Sequence, residues 1–177
     1  MMSSPETVDR PLTVVLVGPM AAGKTSVGRK VSRLLEVPFT DTDKRIAAEH
    51  GPIPQIFAEH GEPYFRDLER TAVAEAVAAG GVVSLGGGAV TDTATRALLA
   101  QLPVVFLTVS AEAVSQRIRG AGRPLLTGEG DPVERWRTIF AERLGWYEEV
   151  ADLTVDTSRR PMRMLAEQIA AWRKEQE

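Results

Sequence analysis

Eight consecutive residues, Gly18-Pro19-Met20-Ala21-Ala22-Gly23-Lys24-Thr25, satisfy every fixed position of the pattern G-x-x-x-x-G-K-[ST]. The spacing has a chemical reason. Glycines let a loop curl until successive backbone N–H groups face one anion. The start of a following helix adds a partial positive charge at the same point. A lysine beside the second glycine reaches the β- and γ-phosphates of a nucleotide, and a threonine hydroxyl offers Mg²⁺ the hard oxygen it prefers. ATPases, GTPases and kinases all use such a loop, so other residues must say what receives a phosphoryl group.

Four further segments carry side chains suited to that task. Asp41-Thr42-Asp43 sets two carboxylates two positions apart. Asp41 suits a helix cap as well as work near phosphate, and residue type does not choose between them. Arg66 lies at helical spacing from Glu62 and Glu69. An exposed ion pair worth about 0.2–0.5 kcal/mol is one reading of it. A planar fork gripping an acid group is the other, and it accounts better for arginine. Gly86-Gly87-Gly88 costs backbone entropy, which points to close approach of a ligand rather than an ordinary turn. Residues 120–131, with Arg123-Pro124-Leu125-Leu126 inside, show no period and read as a lid.

These groups need a scaffold. Apolar runs at 12–17, 37–40, 81–85, 104–108 and 153–156 read as strands. Helical patterns fill 24–35, 42–50, 55–60, 62–79, 92–100, 111–119, 132–150 and 161–177. Val27, Val31, Leu34 and Leu35 share one face of the first helix, and Phe65, Leu68, Ala72 and Ala76 one face of the fourth. Gly51-Pro52-Ile53-Pro54 is read as a break. Strands of this kind alternating with helices predict an α/β fold with a parallel sheet covered on both faces. Ligands of such sheets bind beyond the carboxyl ends of the strands, where each glycine cluster lies. One domain over 1–177 is expected, with residues 1–10 a loose polar tail.

Composition removes several classes. The 177 residues include no cysteine, which excludes disulfides, thiol catalysis and Cys-based zinc sites. His50 and His60 are the only imidazoles and read as loop or helix-end residues. A net charge of −3 leaves no basic footprint for nucleic acid or anionic membrane. The chain has no asparagine, so the guanine-reading N-K-x-D motif of GTPases is absent. No stretch approaches the ~20 apolar residues of a spanning helix, and a cytoplasmic location is expected.

The phosphate loop, Asp41-Thr42-Asp43, Phe65-Arg66, Leu85-Gly86-Gly87-Gly88, Arg123-Pro124-Leu125-Leu126 and Arg143 four residues before Tyr147 occur in the order found in shikimate kinases. The chain resembles that family from Leu12 to about Pro161. The resemblance implies a five-stranded parallel sheet of order 2-3-1-4-5 and transfer of the ATP γ-phosphate to the 3-hydroxyl of shikimate. It places ATP on Gly18, Ala21, Ala22, Gly23, Lys24, Thr25 and Ser26, with Arg117 and Arg160 on the adenine side. Mg²⁺ would sit on Thr25, with Asp41 near it through water. Asp43 would hold the acceptor hydroxyl, Arg66 and Arg143 its acid group, and Gly86, Gly87 and Gly88 its ring. Arg123 would swing from the lid onto the γ-phosphate, so the catalytic set is Lys24, Asp43 and Arg123. Substrate-binding helices are expected at about 42–70. A monomer is implied, with ATP and shikimate as partners. A gluconate kinase, a nucleoside-monophosphate kinase or a nucleotide-dependent binding module are the alternatives.

Overall fold

The fold was read from a computed structural model, which describes residues 11–119 and 130–177. Five strands form one sheet: β1 (Thr13–Val17), β2 (Phe39–Asp41), β3 (Gly81–Ser84), β4 (Val104–Thr108) and β5 (Leu153–Asp156). All pairings are parallel, and the order is β2-β3-β1-β4-β5. Eight helices flank it: α1 (Lys24–Leu35), α2 (Thr42–His50), α3 (Ile53–His60), α4 (Glu62–Ala79), α5 (Thr93–Leu99), α6 (Ala111–Arg119), α7 (Pro132–Val150) and α8 (Met162–Glu175).

The three central strands, β3, β1 and β4, are buried on both faces because alternate side chains enter two different cores. Val14, Leu16, Val82, Val105, Leu107 and Val155 pack with Val27 and Val31 of α1 and Leu165 and Ile169 of α8. Val15, Val17, Val83, Val104 and Phe106 face the other way, toward Val73 and Ala76 of α4, Leu99 of α5 and Tyr147 of α7. A third cluster, Ile46, Ile56, Phe65 and Ala72, binds α2, α3 and α4 to one another.

Several expected boundaries shift by a residue or two, and three of the shifts have a local reason. The second strand begins at Phe39 rather than 37, because Pro38 has no N–H for the ladder; only its carbonyl takes part, accepting from Val82 N at 2.9 Å. α3 begins at Ile53, inside the expected break, because Pro54 lies in the first turn, where a missing N–H costs nothing. α5 begins at Thr93 because Asp92 is its cap, its carboxylate accepting from Thr95 N at 2.9 Å. Of the expected lid, residues 120–129, Arg123 among them, lie outside the described residues. Asp131 at its end caps α7 by accepting from Val133 N.

Candidate active site

The phosphate loop joins β1 to α1, and its shape follows from its neighbours. Gly18 has φ +148°, and a Cβ there would run into the Leu107 carbonyl of β4. Ala21 and Gly23 both take left-handed backbone, at φ 65° and 88°, which curls the chain between them. Three successive carbonyls are tied from outside. Met20 O accepts from Trp136 Nε1 at 2.9 Å, Ala21 O from Arg117 Nη1 at 2.7 Å and Ala22 O from Thr157 Oγ1 at 2.7 Å. These ties hold the curl of the loop from outside, while within it Ala22 N donates to Pro19 O at 3.3 Å. α1 has no side-chain cap and no acid in its first turn, so its opening amides have no carboxylate competing for them. Lys24 Nζ folds back over the loop, donating to Gly18 O at 2.7 Å and Pro19 O at 2.9 Å.

A cavity of about 640 Å³ joins this loop to the ends of β2 and β3. Met20, Ala21, Gly23, Lys24, Thr25 and Ser26 line one side, and Asp41, Asp43, Ser84, Leu85, Gly86 and Gly87 the other. Gly18 and Ala22 are buried behind it. Asp41 fulfils both of its readings at once. Its Oδ1 caps α2 by accepting from Lys44 N at 3.2 Å, and its Oδ2 accepts from Thr25 Oγ1 at 2.9 Å. Asp43 projects from the first turn of α2. Burial, reinforced by the charge of Asp41, raises its pKa against the opposing pull of Lys24 and Arg66.

Behind Asp43 lies a buried charged cluster. Arg66 Nη1 donates to Glu69 Oε1 at 2.7 Å, and Nη2 donates to Glu62 Oε1 at 3.2 Å. Both helix partners expected of a surface pair are therefore present, but only Glu62 is at the surface; the Glu69 side chain is 3% exposed. Glu69 Oε2 is buried without a hydrogen-bond partner among the described residues. Burial pushes Glu69 up to about 7, against Arg66 and Arg143. Arg143 is half-buried on α7, near Gly87, and its charge acts on the Tyr147 phenol.

Gly86 and Gly88 are small for the sake of this cluster. A Cβ at 86 would lie 2.5 Å from Asp43 Oδ1, and one at 88 would lie 2.6 Å from Arg66 Nη1. Arg117 braces the loop and also donates to the Thr157 carbonyl. Arg160 donates to Gln168 on α8, beside a separate cavity lined by Thr154, Asp156 and Arg159. Neither arginine lines the large cavity. Sequence reasoning passed over Trp136 and Thr157, and read Glu69 only as a surface partner of Arg66. Glu69 had a signal: it stands four residues after Phe65 and three before Ala72, on the stripe that enters the core. A carboxylate on such a stripe calls for a partner and a purpose.

The comparisons with known proteins agree with this geometry. A family model described as shikimate kinase matches residues 20–174. The shikimate kinase of Corynebacterium efficiens is 45% identical over 161 residues, covering 89% of this chain and 94% of that protein. That of Pseudomonas syringae pv. syringae is 44% identical over 162 residues, with the same coverage. Among solved structures, shikimate kinase from Acinetobacter baumannii in complex with shikimate superposes with a TM-score of 0.86 at 37% identity, covering 94% of this chain and 95% of that one. A gluconokinase from Sinorhizobium meliloti, at 20% identity and a TM-score of 0.61, shares the fold alone. Loop, acceptor residues, strand order and relatives converge: this chain belongs to the shikimate kinase family.

Proposed function

We propose that this protein transfers the γ-phosphate of ATP to the 3-hydroxyl of shikimate, giving shikimate 3-phosphate and ADP. One observation carries the reading: a single cavity connects the curled phosphate loop to Asp43, and Arg66 and Arg143 lie behind the wall that Asp43 forms with Gly86–Gly87. The loop amides and Lys24 hold the phosphates, with Gly18, Ala21, Ala22, Gly23, Thr25 and Ser26 shaping the cradle. Asp43, made more basic by burial, orients the attacking hydroxyl and accepts its proton. Arg66 and Arg143 take the acid group of the substrate, and Gly86, Gly87 and Gly88 its ring. Arg123 closes onto the transferring group, and Arg117 and Arg160 form the adenine side. Catalysis on this account is positioning and offset of charge.

The donor set fits Mg²⁺. Thr25 Oγ1 and Asp41 Oδ2 are hard oxygens already 2.9 Å apart, and the described residues contain no cluster of three metal-binding side chains. Mg²⁺ suits such a sparse site because it keeps several waters and completes its shell with phosphate. Thr25 would hold it directly and Asp41 through water, and its charge would offset that of the phosphates. No described helix is long and apolar enough to cross a membrane. The reading makes the protein a monomeric enzyme of the cytoplasm, where ATP is supplied.

Gluconate is also a polyhydroxy acid, so an arginine clamp alone does not separate it from shikimate. ADP release with ATP·Mg²⁺ should be measured against shikimate, quinate, gluconate and a nucleoside monophosphate. Turnover with shikimate is expected to exceed the others by about tenfold or more. Preference for gluconate or a nucleotide would overturn the assignment.

A further inference from the structure

Tyr147 is fully buried in α7, its ring stacked on Phe106 at 5.1 Å between centroids and near Phe140 at 6.3 Å. A phenylalanine would fill that space equally well. The hydroxyl is the unexplained part, since a buried hydroxyl is unfavourable unless it is hydrogen-bonded. The phenol donates to the carbonyl of Gly87 at 2.5 Å, the middle glycine of the triplet, and the charge of the neighbouring Arg143 acts on it. Arg66 and Glu69 are also close enough to act on the phenol through their charges. One hydroxyl therefore holds the glycine turn at the point where Arg143 Nη1 lies beside it.

We propose that Tyr147 is a positioning residue for the acceptor: its hydroxyl fixes the Gly87 backbone, and with it the turn against which the Arg143 guanidinium lies. The inference rests on the shikimate reading of the site. Tyr147 does not line the cavity, and so it acts through the Gly87 backbone that its hydroxyl holds. Burial pushes its pKa up to about 12, so the phenol keeps the proton that it donates to Gly87 across ordinary pH.

The test is Tyr147→Phe in the full chain. KM for shikimate is expected to rise about tenfold, the scale of one lost hydrogen bond. KM for ATP should stay unchanged, and kcat should fall far less than KM rises. Val150→Ala, a core truncation one turn later on α7, serves as the control. It should lower the melting temperature and leave KM for shikimate alone. If Tyr147→Phe behaves as that control does, the hydroxyl is structural and the inference is overturned.

A second measurement leaves the fold untouched. The chain has two tyrosines, Tyr64 and Tyr147, so global 3-fluorotyrosine gives two ¹⁹F resonances, assigned with Tyr64→Phe. Saturating shikimate should shift the Tyr147 resonance and ADP should not. A Tyr147 resonance indifferent to shikimate would also overturn the proposal. An unlabelled wild-type protein that fails to phosphorylate shikimate would instead sink the substrate reading, and this role with it.

Discussion

At positions 86 and 88 the backbone conformation is one that any residue adopts; Gly88 has φ −96°. Glycine is needed there because Asp43 and Arg66 occupy the space that a Cβ would take. Gly88→Ala should therefore displace the Arg66 guanidinium, which cannot retreat without leaving Glu69. KM for shikimate should rise about ten- to a hundredfold, the scale of a lost charge-assisted hydrogen bond, with KM for ATP unchanged. Unaltered shikimate kinetics would show that Arg66 can move without consequence. Glu69 makes a different prediction. Its pKa stands at about 7 in the folded protein against 4.5 for an ordinary glutamate. Between those values the native state holds a proton that the unfolded chain has released. Stability from this group is thus complete below pH 4.5 and lost as pH rises through 7, on the order of 3 kcal/mol at most. Glu69→Gln cannot titrate, so its melting temperature should fall less than that of the wild type from pH 5 to pH 8. Parallel pH profiles would mean that Glu69 is ionised throughout.

Among the elements, β5 has a role beyond closing the sheet. Its last residue is followed by Thr157, 1% exposed, whose hydroxyl holds Ala22 O while its carbonyl accepts from Arg117. Arg117 in turn holds Ala21 O from α6. The phosphate loop is thus braced from the end of β5 and from α6 and α7, all far down the chain from it. Thr157→Val keeps the shape and removes the hydroxyl. It should weaken ATP binding by about tenfold, one buried hydrogen bond, and leave shikimate affinity intact. Isothermal titration with each ligand separates the two; equal loss for both would indicate general loosening of the sheet.

For the molecule as a whole, period and punctuation in the sequence located the five strands and the eight α-helices of the described residues, because most apolar runs are bounded by glycine, proline or aspartate. The phosphate loop was legible for the same reason: its chemistry is local. The strand order came from family likeness, since nothing in the composition of β1 says that it lies between β3 and β4. What the sequence hid is non-local. The glycine triplet read as room for a ligand, whereas two of its members make room for Asp43 and Arg66, contributed by distant helices. Glu69 read as half of a surface pair because a helix pattern does not reveal that α2 packs on α4 or that Asp43 and Arg143 come close enough to act on the carboxylate. Arg123 lies outside the described residues, and its role stays with the proposal.

The braces on the phosphate loop also set an order of assembly. Ala21 and Ala22 are held by residues 96 and 135 positions later in the chain. Contacts that close such long loops form late, since the entropy of closure must be met before they give anything back. A chain emerging from synthesis or refolding therefore completes its grip on phosphate only when β5 has docked beside β4. Nucleotide binds that finished cradle and not its precursors, so it draws the population toward the native state by mass action. On the function proposed here, ATP acts as a folding ligand before it acts as a substrate.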